Sequence, residues 1–352
     1  MSSTIFPAHQ LLGLTLTDGW RVVEQLQPPP AATGGMFSVG YFVERPDGTR
    51  GFLKALDFSR ALQSPDPPAA LKPLVDGFEY ERNLLNVCRA KRMSRVAMAI
   101  TDGVVDVPGG GLLSRVSYLI FERADSDARA QLAAANQFDA AWRLRSLHHV
   151  ATAVWQLHAQ HIAHQDLKPS NVLLFGSTSK VADLGRASQL GVAAPHDGEP
   201  FAGDPHYTPV EVCYGHTDPD WRQARLGGDL YLFGSLIHFF FTQIAITPAI
   251  GLALDPSHYP QNWGDSYAAV LPYVRDAFNQ VCDDFDGVAS YFLGADSTEL
   301  TNLVRYLCEP DPTLRGHPLN RQNRATQFSM ERFISRLDVL AGKAEMGLFK
   351  RP

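Results

Sequence analysis

Four side chains in one short stretch have the types and spacing to do chemistry: Asp166, Lys168 and Asn171 in His164-Gln165-Asp166-Leu167-Lys168-Pro169-Ser170-Asn171, then Asp183 twelve residues further on. Phosphoryl transfer calls for such a set. It needs a base near an incoming hydroxyl, a cation for the moving charge, and hard oxygen donors for a divalent metal. Asp166 and Asn171 lie five residues apart, so one loop can aim a carboxylate and an amide at different targets. Read without its surroundings, the same stretch is an ordinary charged loop between a helix and a hairpin.

The elements that must position these groups follow from the patterning. Trp20–Leu26 alternates like a strand. Val39–Glu44 and Gly51–Leu56 flank Pro46-Asp47-Gly48-Thr49, which reads as a hairpin. The proline-bearing segments Gln27–Gly35 and Ser64–Pro73 are expected to be loops, with helix beginning near Val75. Val116–Phe121 is strand-like, Trp142 to about Ala159 is a long helical pattern, and an amphipathic helix is expected near Gln327–Ala341. The result is a β-rich part to about residue 122 and a larger helical part after it. A groove between two such parts is a common small-molecule site.

Asp166 to Asn171, followed by apolar Val172-Leu173-Leu174 and then by Asp183-Leu184-Gly185, resembles the catalytic and magnesium-binding loops of the eukaryotic-like Ser/Thr protein kinase superfamily. The resemblance implies an α+β, bilobal, protein-kinase-like fold with a small β-rich N-lobe and a larger, mainly α-helical C-lobe. The expected divisions are an N-terminal extension over 1–17, an N-lobe over 18–122, a C-lobe over 123–342 and a tail over 343–352. It implies ATP and Mg2+ as cofactors and protein substrates as partners. Asp166 would take the proton of the acceptor hydroxyl, Lys168 would steady the phosphoryl group, and Asn171 and Asp183 would hold the metal. Lys54, in Gly51-Phe52-Leu53-Lys54-Ala55-Leu56, occupies the position of the family's strand lysine, with Glu81 as its helix partner. Glu79 competes, but two residues away on a helix it points elsewhere. Gly34, Gly35, Phe37 and Ser38 resemble the loop over the phosphates, although Thr33 and Ser38 replace flanking glycines. Phe121 would back the adenine pocket, and Glu122 would begin the linker.

Later landmarks extend the resemblance to roughly residues 18–342. Gly203-Asp204-Pro205-His206-Tyr207-Thr208-Pro209-Val210-Glu211 resembles the end of an activation segment, and Asp311-Pro312-Thr313-Leu314-Arg315 the arginine motif that pairs with Glu211. Asp229-Leu230-Tyr231-Leu232-Phe233-Gly234 resembles the start of the family's buried central helix, with Asp229 bonding the catalytic-loop backbone. Two departures stand out. Gln165 replaces the arginine that commonly holds a phosphorylated activation loop, and Asp204 stands where Ser/Thr-specific members usually carry threonine. An Asp there would repel Asp166 unless Lys168 lies between them. The first departure implies activity without activation-loop phosphorylation. The alternatives are a small-molecule kinase of the same superfamily and a nucleotide-binding pseudokinase scaffold.

Composition bounds the rest. The chain has 352 residues, 45% hydrophobic and 19% charged, which excludes disorder as its main state. Lys+Arg 31 against Asp+Glu 37 gives −6, which argues against a broad nucleic-acid surface. Cys88, Cys213, Cys282 and Cys308 are too scattered for a zinc site and read as reduced core thiols in a cytoplasmic protein. The N-terminus carries no secretory pattern. Leu230–Leu254 has no charged residue and would be long enough for a membrane span, but its His, Gln, Thr, Gly and Pro residues read instead as one buried helix followed by a loop, with no membrane partner.

Overall fold

The computed structural model describes residues 6–27, 38–108, 114–135 and 139–349. It divides into two units, Met1–Arg92 with Ala97–Asp125 and Met93–Val96 with Ser126–Pro352.

The first unit is built on an antiparallel sheet of β1 (Arg21–Gln25), β2 (Ser38–Glu44), β3 (Arg50–Leu56), β4 (Ala99–Asp106) and β5 (Arg115–Glu122), in the order β1-β2-β3-β5-β4. The β2–β3 turn forms as its residues dictate. Gly48 takes φ 84°, and Asp47 accepts the Thr49 N–H at 2.8 Å. Alternation along β2 and β3 sends Tyr41, Val43, Leu53 and Ala55 into a core shared with Tyr118 and Ile120. The segment before β1 belongs to that core as well. Leu11 and Trp20 are fully buried, and Tyr41 donates to the Ala8 carbonyl at 2.7 Å.

After the single-turn α1 (Ser59–Leu62), α2 runs over Pro67–Ala90. This corrects the expected loop over 64–73 and the expected helix start near Val75. Asp66 caps the helix by accepting the Ala69 N–H, and Pro67 and Pro68 occupy first-turn positions whose N–H groups need no intrahelical partner. Proline there starts a helix instead of breaking it. Only Pro73, inside the helix, removes a backbone bond.

The second unit contains β6 (Ser126–Asp127), α3 (Ala128–Ala134), α4 (Ala140–His158), β7 (Ile162–Ala163), β8 (Val172–Phe175), β9 (Thr178–Val181), β10 (Ser188–Gln189), α5 (Val210–Cys213), α6 (Gly227–Thr242), α7 (Ile246–Ala253), α8 (Tyr267–Leu293), α9 (Ser297–Leu307) and α10 (Glu331–Glu345). β6 pairs with β8, β8 with β9, and β7 with β10. The last helix starts and ends about one turn later than expected.

The uncharged stretch forms two helices where one helix and a loop were expected. Almost all of α6 is buried, which is why its sequence is apolar all round. It ends at Gln243, whose φ is 61°, and α7 leaves at 77° to the helical run Arg222–Thr242. No single helix among the described residues is long and apolar enough to cross a membrane. Tyr267, Phe278 and Phe285 join Val270, Val274 and Val281 on the buried face of α8, while Tyr273 and Tyr291 are exposed.

The fold buries His149 of α4 as a neutral ring. Burial first, then the neighbouring Arg95, lowers its pKa from 6.5 to about 4, and its Nδ1 accepts the Ser179 N–H at 3.2 Å. A folded pKa below the unfolded one means stability is complete above about pH 6.5 and falls as pH drops toward 4. Urea titrations at pH 7 and pH 5 should show a loss of about 1–2 kcal/mol to which this ring contributes. His149→Gln should flatten that pH dependence. An unchanged slope would assign the loss to other groups.

Candidate active site

In the first unit, Lys54 sits on β3 opposite Gly40 and Leu119. Its flanking Leu53 and Ala55 enter the core, so the lysine is directed to the other face. Its ammonium bonds both oxygens of Glu81, at 3.0 and 2.9 Å. Glu81 lies on the buried face of α2 with Tyr80, Leu84 and Leu85, while Glu79 is exposed. The Lys54 partner is therefore Glu81. A buried carboxylate fixed by an ammonium keeps both charges and holds the lysine stem extended. Phe121 pairs with Phe52 and Glu122 with Gly51 at the end of β5. Ser38 opens β2 opposite Leu56. Gly34, Gly35 and Phe37 lie outside the described residues.

In the second unit, the loop between β7 and β8 is organised from below by Asp229 in the first turn of α6. This fully buried carboxylate accepts the backbone N–H of His164 at 2.7 Å and of Gln165 at 2.8 Å, and meets His158 Nε2 at 2.9 Å. Burial opposes its charge, yet the bond from His158 and the other donors hold its pKa below the usual carboxylate value. His164 adds a second tie. Its Nδ1 accepts the Asp166 N–H, so its Nε2 carries the proton that goes to the Ala182 carbonyl at 3.0 Å. That bond links the loop to the residue before Asp183. Gln165 and Asp183 both adopt left-handed φ, 66° and 65°, a strain of the kind that collects at functional sites.

Asp166, Lys168 and Asn171 converge within this framework. Asp166 Oδ2 lies 3.0 Å from Lys168 Nζ and accepts from Asn171 Nδ2 at 3.0 Å, while Oδ1 accepts the Asp204 N–H at 2.8 Å. Asn171 Nδ2 also donates to the Asp166 carbonyl at 2.8 Å. The amide nitrogen is thus committed to Asp166, and a hard cation would take the amide oxygen. Burial raises the Asp166 pKa, against the pull of Lys168. Lys168 Nζ also lies 3.5 Å from Asp204 Oδ2. The ammonium therefore stands between the two carboxylates and relieves the repulsion that Asp204 would otherwise impose.

Among the described residues no group of three or more His, Cys, Asp or Glu side chains is poised to hold a metal. One amide and one carboxylate, Asn171 and Asp183, still fit Mg2+, which keeps several waters and takes other oxygens from phosphate.

The segment after Asp183 is tied down at both ends. Ser188 is buried, and its hydroxyl accepts from Trp221 Nε1 at 2.9 Å. Gln165 donates to the Arg225 carbonyl at 2.8 Å and meets the Arg225 guanidinium at 3.3 Å. Sequence reasoning missed the Trp221 and Arg225 contacts, and the part played by His158. At the far end, buried Glu211 and Arg315 form a two-point ion pair at 2.8 Å in each bond. The Arg315 guanidinium also donates to the Glu309 and Gly227 carbonyls and lies over the Tyr231 ring.

A model of the protein kinase domain matches residues 76–320, and the chain belongs to that family. The matched span contains Glu81, Asp166, Lys168, Asn171, Asp183, Asp229 and Arg315, while Lys54 precedes it. The chain is 32% identical over 93 residues to a 3-phosphoinositide-dependent protein kinase B of Dictyostelium discoideum, covering 25% of this chain and 10% of that protein. It is 33% identical over 75 residues to a Wee1-like protein kinase of Arabidopsis thaliana, covering 20% of this chain and 14% of that protein. The similarity thus spans a small part of each of these relatives.

Proposed function

We propose that the chain is an active, cytoplasmic protein kinase that uses ATP and Mg2+ to phosphorylate serine and threonine hydroxyls of proteins. The observation that carries this reading is the convergence of Lys168 and Asn171 on one carboxylate, Asp166, within a loop held by Asp229. Asp166 is oriented through both of its oxygens, so it can take a hydroxyl proton without first reorganising. Lys168 supplies positive charge beside it for the phosphoryl group in transit. Lys54, held by Glu81, is the cation offered to the nucleotide phosphates. Asn171 and Asp183 are the residues to hold Mg2+, whose charge would offset that of the phosphates. Lys168-Pro169 follows the Ser/Thr pattern of the family.

The test is incubation of the wild type and Asp183→Ala with labelled ATP and Mg2+ in the presence of lysate proteins. Label is expected on serine or threonine of proteins with the wild type alone. Label appearing in soluble metabolites would favour a small-molecule acceptor, and nucleotide binding with no transfer would favour a scaffold.

Activity should not depend on phosphorylation of the segment between Asp183 and Glu211. Its hydroxyl residues are Ser188, Tyr207 and Thr208, of which Ser188 and Tyr207 are buried. Gln165 bonds the Arg225 carbonyl and guanidinium but carries no positive charge of its own with which to grip a phosphate. Phosphatase-treated enzyme and the Ser188→Ala/Thr208→Ala variant should keep kcat within a few fold. A loss of orders of magnitude in either would refute this independence.

A further inference from the structure

A second charged feature lies away from the Asp166 loop, where the segment after Arg315 meets α10. The Arg332 Nε donates to Asn320 Oδ1 at 3.0 Å, and Arg321 donates to the Leu314 carbonyl. These neutral acceptors orient the two guanidiniums without neutralising them, and neither has a carboxylate within ion-pair distance among the described residues. Arg336, one turn along α10 from Arg332, is exposed and meets Glu299 at 3.4 Å. His317 sits among them with its ring against Tyr306 and Phe333. Burial lowers its pKa, and Arg332, Arg336 and Arg321 all push the same way, with no carboxylate opposing them. Like charges gathered around one neutral ring repel each other, and an anion would relieve that repulsion. Leu314 and Leu319 are 45% and 55% exposed on the same segment, which adds apolar area beside the cations.

We propose that this face, formed by Arg321, Arg332 and Arg336 with Leu314 and Leu319, docks an acidic segment of a protein partner. Planar guanidiniums, two of them held by neutral acceptors, suit carboxylates, which they can grip at two points. The exposed leucines favour a peptide that alternates acidic and apolar side chains. The chain as a whole carries −6, so a polyanion would gain from this patch alone and be repelled elsewhere, which favours a short acidic peptide over nucleic acid or an anionic bilayer.

The test uses the full chain and a fluorescein-labelled peptide alternating Glu with Leu, followed by anisotropy. The same peptide with Lys for Glu is the control. Binding of the Glu peptide is expected, weakening as salt is raised. Arg332→Glu combined with Arg336→Glu should weaken it by roughly ten-fold or more, a difference of about 1.4 kcal/mol. Arg332→Lys should retain most of it. Both residues are exposed, so losing the Asn320 bond and setting a carboxylate beside Glu299 should lower the unfolding midpoint only slightly. If the double glutamate variant does not fold, Arg332→Gln with Arg336→Gln must still show the loss. No binding by the wild type, equal binding of the Lys peptide, or undiminished binding by the variants would overturn the proposal. So would tighter binding to vesicles of phosphatidylcholine and phosphatidylserine, or to duplex DNA.

Discussion

Asp166→Ala is expected to lower kcat by about 10²–10⁴-fold, the range that a positioned general base contributes. The variant loses more than the base, because Asp166 also receives Asn171 Nδ2 and the Asp204 N–H. Asp166→Asn keeps one acceptor oxygen, for either the Asp204 N–H or the Asn171 amide, and cannot take a proton. The two variants should therefore fall similarly in kcat while the asparagine keeps the thermal midpoint closer to wild type. Steady-state kinetics with a phosphorylatable protein, alongside calorimetry, separate the two effects. A kcat within ten-fold of wild type for both would remove Asp166 from the proton-transfer role.

The largest expected stability change is at Arg315. Replacing it by alanine strands Glu211 in a buried position, and breaking a buried pair on one side typically costs about 3–5 kcal/mol. The loss is compounded by the Glu309 and Gly227 carbonyls that Arg315 now serves. A double cycle with Glu211→Gln, read by urea denaturation, should show that the second substitution costs much less once Arg315 is gone. Additive effects would mean that the pair is not coupled and that the guanidinium acts only through the two carbonyls.

The fold was legible where a local pattern has one physical solution. Alternation around Pro46-Asp47-Gly48-Thr49 has little choice but a hairpin, and it forms one over β2 and β3. The segment 64–73 was not legible, because proline ends a helix at most positions and starts one in the first turn. The deciding residue was the cap Asp66. The break after α6 was equally hidden. Nothing in an uncharged run says where the backbone will turn, and here Gln243 takes a left-handed φ.

The sequence by itself determined the composition and order of the site. Asp166, Lys168 and Asn171 lie within one loop, and no folding event can change their spacing. Tertiary structure alone decided which groups meet them. Lys168 stands between Asp166 and Asp204, Gln165 bonds Arg225, and Trp221 holds Ser188. These partners are separated by 36, 60 and 33 residues along the chain. Contacts over such distances depend on how whole helices and strands pack, which side-chain type and spacing along the chain do not specify.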